Sequence, residues 1–258
     1  MGKLSNSMGA FLFKQFKVEQ DFSAMKVNTD AVLLGAWMRL PDCMNSRVLD
    51  IGTGTGVIAL MVAQRMAEAG KRGTVEAVEI DPGACRDAQT NFNAAPWDGM
   101  KFILHSMSLQ DFSNSLPCKF DLIFTNPPYF IDSLKSTDES KILARHTDSL
   151  SQREILFHSA RLLVPGGILA LVLPVTEGEE FLRKVEFLQS HTPSGENRFV
   201  VRRICRVHTV ERKPAKRILI ELEYCAAAKE EPHIGQLVMM SGGSNTAQYA
   251  DLVGEFYL

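Results

Sequence analysis

The sequence predicts a doubly wound, mostly parallel α/β sheet that ends in an antiparallel hairpin. From residue 47 onward, short β-rich runs alternate with helical segments, which is the order of a parallel sheet covered on both faces. Residues 168–173 are apolar on both faces, as buried parallel strands are. Runs 198–210 and 217–225 are β-rich and joined by a short polar loop, so we expect a hairpin there.

The elements follow one another with clear boundary signals. We expect strands at 47–51, 74–80, 101–107, 120–125 and 168–173, and helices at 57–67, 82–94, 147–163 and 177–189. Asp81 before Pro82 predicts a capped helix start. Ser151 and Glu154 have the spacing of a capping box. Residues 165–167, Pro-Gly-Gly, predict a turn.

Composition places the chain among globular proteins. Its 258 residues, 45% hydrophobic, are enough for one large domain. No apolar run is long enough for a membrane span, and the first ten residues lack the apolar core of a secretory signal, so we expect a cytoplasmic protein. The five cysteines are scattered without a Cys-x-x-Cys pair, which predicts neither a disulfide framework nor a metal site.

Positive charge is concentrated in the predicted hairpin. The net charge of −2 argues against an indiscriminate nucleic-acid binder. However, eight lysines and arginines lie between Arg198 and Arg217, with Glu211 as the one acid among them. Such a run of cations favours contact with a polyanion. The alternative is that these side chains only face solvent on one side of the hairpin.

A glycine-rich loop follows the first strand of the alternating region. Gly52, Gly54 and Gly56 alternate with threonines. At each glycine no side chain stands between the backbone and a ligand, so the ligand can approach the backbone closely. The dinucleotide fingerprint requires a further glycine at position 57, which is Val57, and this disfavours a nicotinamide oxidoreductase. Asp50, at the strand end, suits a ligand with an amino group and a positive charge. S-adenosylmethionine (SAM) has both.

The next two strand ends supply further candidate cofactor contacts. Glu79 ends the second strand, where a carboxylate can accept hydrogen bonds from a ribose diol. Ser108 and Leu109 follow the third strand, and we expect them near the adenine of the cofactor.

The tetrapeptide Asn126-Pro127-Pro128-Tyr129 closes the fourth strand. Consecutive prolines cannot continue a central strand, so they fix a turn with an exposed carbonyl at Pro127. The Asn126 side-chain oxygen and this carbonyl can each accept one hydrogen of a planar amino group. The nitrogen lone pair is then aimed at a methyl donor, and Tyr129 can stack on the planar group. The motif therefore predicts methylation of an amino nitrogen.

These motifs resemble those of class I, Rossmann-like, SAM-dependent methyltransferases, and the chain is more narrowly similar to the bacterial tRNA1(Val) adenine-37 N6-methyltransferase family. The likeness rests on residues 13–16, 25–37, 50–56, 126–129 and 251–258. The resemblance implies a seven-stranded sheet, SAM as cofactor, tRNA as substrate and a monomer. It also implies that residues 1–46 form an extension packed on the cofactor site of a methyltransferase domain at 47–258.

The resemblance implies roles for residues at three places: the cofactor site, the adenine site and the surface that contacts tRNA. Asp50, Gly52, Gly54 and Gly56 would line the methionine end of SAM, Glu79 its ribose, and Lys26 and Thr29 the cofactor entrance. Asn126, Pro127 and Tyr129 would hold the adenine amino group, with Pro128 beside it. Arg202, Arg203 and Arg206 would contact the tRNA backbone.

Other functions use some of the same features. A glutamine N5-methyltransferase acting on a protein and a guanine N2-methyltransferase acting on rRNA share the tetrapeptide. The segment at 25–37 and the basic hairpin favour tRNA adenine over these. A noncatalytic RNA-binding module is the alternative of another class, and the intact tetrapeptide argues against it.

Overall fold

A computed structural model of the chain describes residues 9–115, 118–127, 150–227 and 230–257. Two short strands, Phe11–Leu12 (β1) and Lys17–Val18 (β2), form an antiparallel pair of their own. The remaining strands of the described residues build one sheet of nine. They are Asn45–Ile51 (β3), Arg72–Glu79 (β4), Met100–Ser106 (β5), Phe120–Thr125 (β6), Leu163–Pro174 (β7), Arg198–Val210 (β8), Arg217–Cys225 (β9), His233–Ser241 (β10) and Ser244–Asn245 (β11).

The sheet has the spatial order β11-β10-β8-β9-β7-β6-β3-β4-β5. Strands β3 to β7 are parallel, β9 is antiparallel to both β7 and β8, and β10 is parallel to β8. The chain moves outward from β3 in both directions, first through β4 and β5 and then through β6 and β7. The predicted doubly wound, mostly parallel sheet with a C-terminal hairpin is therefore confirmed.

Seven helices are described, and they cover both faces of the sheet. They are Thr29–Trp37 (α1), Val57–Glu68 (α2), Pro82–Asn93 (α3), Leu109–Ser115 (α4), Gln152–Leu162 (α5), Val175–His191 (α6) and Ala247–Val253 (α7). Helices α1, α2, α3 and α7 contribute to one apolar core, and α4, α5 and α6 to a second core on the other face. The apolar residues of β3 to β9 separate these two cores, which gives three layers.

Helix starts follow the capping rules that the sequence indicated. The side chain of Asp81 accepts a hydrogen bond from the amide of Ala84, and Pro82 lies in the first turn. Ser151 and Glu154 form a complete capping box. Because these signals are local, they were readable without knowledge of the fold.

The structure corrects three expectations. Helix α5 begins at Gln152 rather than at residue 147, because Ser151 is its cap. Residues 165–167 do not separate a helix from a strand, since β7 pairs with β6 at Leu163 and again from Ile168. The intervening residues bulge out of the strand, and Gly166 takes a φ of 85° there. Finally, β10 and β11 bring the strands of this sheet among the described residues to nine rather than seven.

No helix within the described ranges is both long and apolar enough to cross a membrane. The same ranges contain no cluster of three or more histidine, cysteine, aspartate or glutamate side chains placed to hold a metal ion.

Candidate active site

Three neighbouring strands, β6, β3 and β4, end at the same edge of the sheet. The Thr125 hydroxyl donates to the Ile51 carbonyl at 2.8 Å, which joins the ends of β6 and β3. The Gly52 amide donates to the Val78 carbonyl at 2.9 Å, which joins the ends of β3 and β4. The chain order reverses at β3, and open α/β sheets bind ligands in the crevice at such a point. We call this edge the catalytic edge.

The glycine-rich loop leaves room for a ligand. Gly52 and Gly54 have φ values of 68° and 57°, and a Cβ built on either would meet no atom within 4 Å. Gly56, at φ 81°, differs because a Cβ there would lie 2.6 Å from the ring of Phe92. Gly52 and Gly54 thus border open space, whereas Gly56 allows α2 to begin against a packed ring.

Asp50 is a buried carboxylate with one unpartnered oxygen. It is 1% exposed, and its Oδ2 accepts a 2.7 Å hydrogen bond from the Thr53 hydroxyl. Its Oδ1 has no hydrogen-bond partner among the described residues. Burial raises the pKa of Asp50 to about 7, the Thr53 bond opposes the rise, and nearby Glu79 adds to it. An unpaired buried carboxylate oxygen is costly unless a donor reaches it.

Glu79 connects the loops that follow β3 and β4. One of its oxygens accepts a 2.9 Å hydrogen bond from the Gly54 amide. The other accepts from the amides of Ile80 and Asp81 at 2.8 and 2.9 Å. A carboxylate offers about four acceptor positions, so the backbone uses three of them here. One position remains for a ligand hydroxyl, whereas the sequence suggested room for two.

Asn126 and Pro127 directly follow β6 at the catalytic edge, where Thr125 pairs with Ile51. Asn126 is half-buried and Pro127 is buried. The structure therefore places the first half of the tetrapeptide one strand away from the glycine-rich loop. Pro128 and Tyr129 lie outside the described residues, and their roles stay predictions.

Ser108 and Leu109 lie where β5 leads into α4. The Ser108 hydroxyl accepts a hydrogen bond from the Asp111 amide at 3.0 Å and contacts the Asp111 carboxylate at 2.8 Å. Leu109 is buried in the core on the second face of the sheet. The structure thus gives both side chains a part in starting and packing α4, and contact with the cofactor adenine stays a prediction.

An N-terminal strap, residues 19–28, runs from the β1–β2 pair to α1. Lys26 lies on it and donates a hydrogen bond to the carbonyl of Gln20. Thr29 is the exposed first residue of α1, and Asn28 caps that helix. Their contact with a cofactor stays a prediction.

Two buried polar residues of α3 hold this strap in place, and no motif in the sequence pointed to either of them. Asn91 exchanges two hydrogen bonds with the backbone of Glu19, and its amide also donates to the Thr55 carbonyl of the glycine-rich loop. Asp87 accepts three hydrogen bonds, from the amides of Phe22 and Ser23 and from the Ser23 hydroxyl.

Arg203 of β8 makes contacts inside the protein. Its guanidinium lies 3.2 Å from the carboxylate of Glu221, which is buried, and 4.2 Å from the ring centre of Trp37. Burial raises the pKa of Glu221, and the Arg39 amide and the charge of Arg203 oppose that rise. Arg203 therefore neutralises a buried acid.

Arg202 and Arg206 also have carboxylate partners. Arg202 donates to Glu223 at 2.5 Å, and Arg206 lies 3.2 Å from Glu179 of α6. The three arginines expected to contact tRNA are thus all engaged in ion pairs within the protein. The predicted antiparallel hairpin is confirmed. Its three arginines are paired with carboxylates, so fewer of its positive charges are available to RNA than the sequence count suggests.

The tip of the hairpin lies at the catalytic edge. Arg217, which begins β9, pairs with Pro174 at the end of β7, and its guanidinium donates to Asp30 of α1 at 2.8 Å. The loop before it carries three exposed cations, Arg212, Lys213 and Lys216. Positive charge therefore flanks the crevice from the side of the hairpin.

Comparison with known proteins agrees with this geometry. The family described as "Methyltransferase small domain" matches residues 16–203. A relative from Tolumonas auensis is 39% identical over 96% of this chain and 97% of its own, and one from Parabacteroides distasonis is 41% identical over the same shares. Both are named tRNA1(Val) (adenine(37)-N6)-methyltransferase.

The chain belongs to this methyltransferase family. The resemblance noted from the sequence is therefore confirmed.

Solved structures share the fold of this methyltransferase. One, described as a predicted O-methyltransferase from Agrobacterium tumefaciens, has a TM-score of 0.62 at 20% identity and covers 88% of this chain and 96% of its own. Another, from Listeria monocytogenes, is described as a candidate class I SAM-dependent methyltransferase. It has a TM-score of 0.58 at 18% identity and covers 87% of this chain and 67% of its own.

The groups at the catalytic edge fit SAM, the cofactor of class I methyltransferases. The orphaned Oδ1 of Asp50 is an acceptor for an amino group. The open space beside Gly52 and Gly54 can take a ligand that approaches the backbone closely. The remaining acceptor position of Glu79 suits a ribose hydroxyl.

Proposed function

We propose that this methyltransferase transfers a methyl group from SAM to the N6 amino group of adenine 37 in a valine tRNA. The observation that carries the proposal is the position of Asn126, directly beyond β6 and one strand from Asp50 at the end of β3 and from the loop that contains Gly54. Relatives that are 36–41% identical over nearly the whole chain carry names that state this reaction.

SAM, when bound, supplies an electrophilic methyl group on a positively charged sulfur. Asp50 would bind the amino group of the cofactor through Oδ1, and Glu79 would accept one ribose hydroxyl. Both acids lie at the ends of adjacent strands, so they would fix the cofactor at two separated points.

Asn126 and Pro127 would position the nucleophile. The Asn126 side-chain oxygen and the Pro127 carbonyl would each accept one hydrogen of the adenine amino group. These bonds draw the nitrogen lone pair out of conjugation and direct it toward the methyl group. No strong base is required, because the amino proton leaves only after the nitrogen has become positively charged. We propose that Tyr129 stacks on the adenine, with Pro128 beside it.

The adenine must leave its stack to reach Asn126, as in other base-modifying enzymes. An anticodon loop makes this less costly because its bases are already partly free. Since Arg202, Arg203 and Arg206 have carboxylate partners, we propose that the exposed tip residues Arg212, Lys213 and Lys216 make the first phosphate contacts beside the crevice.

We also propose that the protein acts in the cytoplasm, where tRNA is modified, and that it acts as a monomer. Light scattering during gel filtration, with and without tRNA, tests the oligomeric state. A dimer at working concentration would contradict it.

Mass-spectrometric nucleoside analysis of tRNA incubated with SAM and the enzyme tests the reaction. We expect N6-methyladenosine at position 37, and Asn126→Ala should abolish it while SAM still binds by calorimetry. Asn93→Ala, an exposed asparagine on α3, is the matched control and should retain activity. N2-methylguanosine as the product, or full activity of Asn126→Ala, would contradict the proposal.

A further inference from the structure

A large groove separates α5 from α6 on the second face of the sheet. Its volume is about 1080 Å³, and its floor is formed by Leu156 of α5, Phe199 at the start of β8 and Tyr224 at the end of β9. None of the residues assigned to the cofactor or to the adenine lines it. The groove is therefore a separate feature from the crevice at the catalytic edge.

The walls of the groove are strongly cationic. Six basic side chains and one acidic side chain are among the described residues that line it: Lys119, Arg153, Arg161, Arg183, Lys184 and Arg198, with Glu180. Two of the cations have neutral partners, since Arg161 donates to the Asn114 side chain at 3.0 Å and Lys184 to Gln152 at 2.5 Å. These bonds hold the side chains without neutralising their charge. The groove thus presents an excess of positive charge on both of its walls.

Exposed aromatic rings accompany these cations. Phe157 on α5 is 59% exposed and Phe187 on α6 is 61% exposed. The Arg161 guanidinium lies 5.7 Å from the centre of the Phe157 ring, and the His191 ring lies 4.1 Å from that of Phe187. Exposed apolar patches that are rimmed by polar residues mark interaction sites. Rings beside cations are the arrangement on which nucleic-acid bases stack while phosphates meet charge.

The groove leads away from the catalytic edge. Helix α5 begins near that edge, with Arg153 in its first turn, and ends where β7 starts on the opposite side of the sheet. Helix α6 starts beyond Pro174 at the catalytic edge and has 17 residues, so it extends about 25 Å. Arg153 therefore places one end of the groove on the same side of the sheet as the catalytic edge.

We propose that this groove binds the tRNA substrate outside the anticodon loop, with its cations against the phosphates and Phe157 and Phe187 against unpaired bases. This inference rests on the proposed function, which supplies the polyanion. An acidic amphipathic peptide is the alternative occupant. RNA is favoured because the cations line both walls and the exposed rings sit on the outer surface of two different helices. The apolar floor of Leu156, Phe199 and Tyr224 would also suit a helical peptide, so the choice of RNA rests on the cationic walls and the exposed rings.

The test removes charge from the groove without removing the aliphatic stems. Arg153 and Arg183 are exposed on facing helices, so the double variant Arg153→Gln, Arg183→Gln alters both walls. The matched control is Arg72→Gln, Lys101→Gln, which removes two exposed cations from β4 and β5. Binding of full-length tRNA is measured by fluorescence anisotropy between low and moderate salt, and methylation kinetics are measured in parallel.

We expect the groove variant to reduce the slope of log affinity against log salt by about 2, because each lost phosphate contact removes about one unit. Its KM for tRNA should rise while kcat and the affinity for SAM stay unchanged. The control should resemble the parent. If the groove variant keeps the parental salt slope, the inference is wrong, and the groove would then serve a peptide or another partner instead of tRNA.

A second variant tests the aromatic contribution. Phe157→Leu, Phe187→Leu keeps the surface apolar but removes the stacking faces, and we expect it to weaken tRNA binding at all salt concentrations without changing the slope. Parental affinity would contradict a stacking role. If the parent enzyme binds tRNA but does not methylate it, the proposed function is contradicted. The salt slopes of tRNA binding still decide whether the groove contacts the tRNA.

Discussion

The backbone amide of Gly54 donates a 2.9 Å hydrogen bond to the carboxylate of Glu79. This bond crosses from the loop after β3 to the end of β4, and the same carboxylate accepts the amides of Ile80 and Asp81. Glu79 therefore shapes the glycine-rich loop as well as offering an acceptor to the ribose. The loop and the ribose site are one structural unit, so a change at Glu79 affects both.

Replacing Glu79 with glutamine should weaken SAM binding by roughly tenfold to a hundredfold. Glutamine has one acceptor oxygen in place of two, and it loses the charge that strengthens the bonds from Gly54, Ile80 and Asp81. Isothermal calorimetry measures the affinity. Glu196→Gln, an exposed acid before β8, is the control. Equal affinities of the two variants would remove Glu79 from the cofactor site.

The buried carboxyl of Asp50 should make the stability of the enzyme without cofactor depend on pH. Its pKa in the folded protein, about 7, is above the ordinary value of 3.8, so the folded state holds its proton more tightly. The stabilisation is fully present below pH 4 and is lost as pH rises through 7. From the difference between 3.8 and about 7 we expect a loss of about 4 kcal/mol.

Urea unfolding of the parent and of Asp50→Asn at several pH values isolates this contribution. Asparagine can still accept the Thr53 hydrogen bond but does not titrate. The free energy of unfolding of the parent, minus that of the variant, should fall between pH 4 and pH 7 and then level off. A difference that is constant with pH would show that Asp50 has an ordinary pKa. At pH 6, SAM binding to the parent should release a proton, since the amino group of the cofactor favours the carboxylate.

The predictable parts of the molecule are those governed by local rules. Asp81 caps α3 and Ser151 caps α5 because their side chains reach amides three residues ahead. The position of Asn126 beside Asp50 follows from a general property of parallel sheets, whose strands all end at one edge. These relationships require no knowledge of distant contacts.

Distant partners explain what the sequence did not show. The partners of Arg203, namely Glu221 and Trp37, lie 18 and 166 residues away, so a count of basic residues could not reveal that its charge was neutralised. Strand β10 pairs in parallel with β8, and that pairing depends on a connection whose geometry no short motif specifies. In the sequence, Asn91 looks like any polar residue of a helix. Its role depends on three backbone groups, two of Glu19 and one of Thr55, that are distant in the chain.

Asn91→Ala should reduce the free energy of unfolding by about 2–4 kcal/mol and should weaken SAM binding. Asn91 is 2% exposed, and its loss removes the partner of the buried Thr55 carbonyl and of two half-buried backbone groups of Glu19. The strap and the glycine-rich loop would then no longer be joined. Urea unfolding and calorimetry measure the two effects.

Asn93→Ala is the matched control for this variant, because Asn93 is exposed on the same helix. To separate positioning from stability, limited proteolysis is compared at a temperature where both variants remain folded. Asn91→Ala should be cleaved faster within residues 19–28. A parental cleavage rate together with parental SAM affinity would contradict the positioning role.

The tip of the hairpin and its body should respond differently to loss of charge. Arg212→Gln, Lys213→Gln removes two exposed cations at the catalytic edge, so we expect the salt slope of tRNA binding to fall by about 2 with unchanged stability. Arg203→Met should instead lower stability by about 3 kcal/mol, because it takes the nearest cation from the buried Glu221 carboxylate and leaves it only the contacts of Arg39.

The double variant Arg203→Met, Glu221→Leu distinguishes the two kinds of arginine. Removing both charges from a buried pair restores much of the stability lost with one, so this variant should unfold at a higher urea concentration than Arg203→Met. Its tRNA salt slope should match the parent if Arg203 serves the fold alone. A slope reduced by about 1 in the stable double variant would instead show that Arg203 contacts phosphate, as the sequence first suggested.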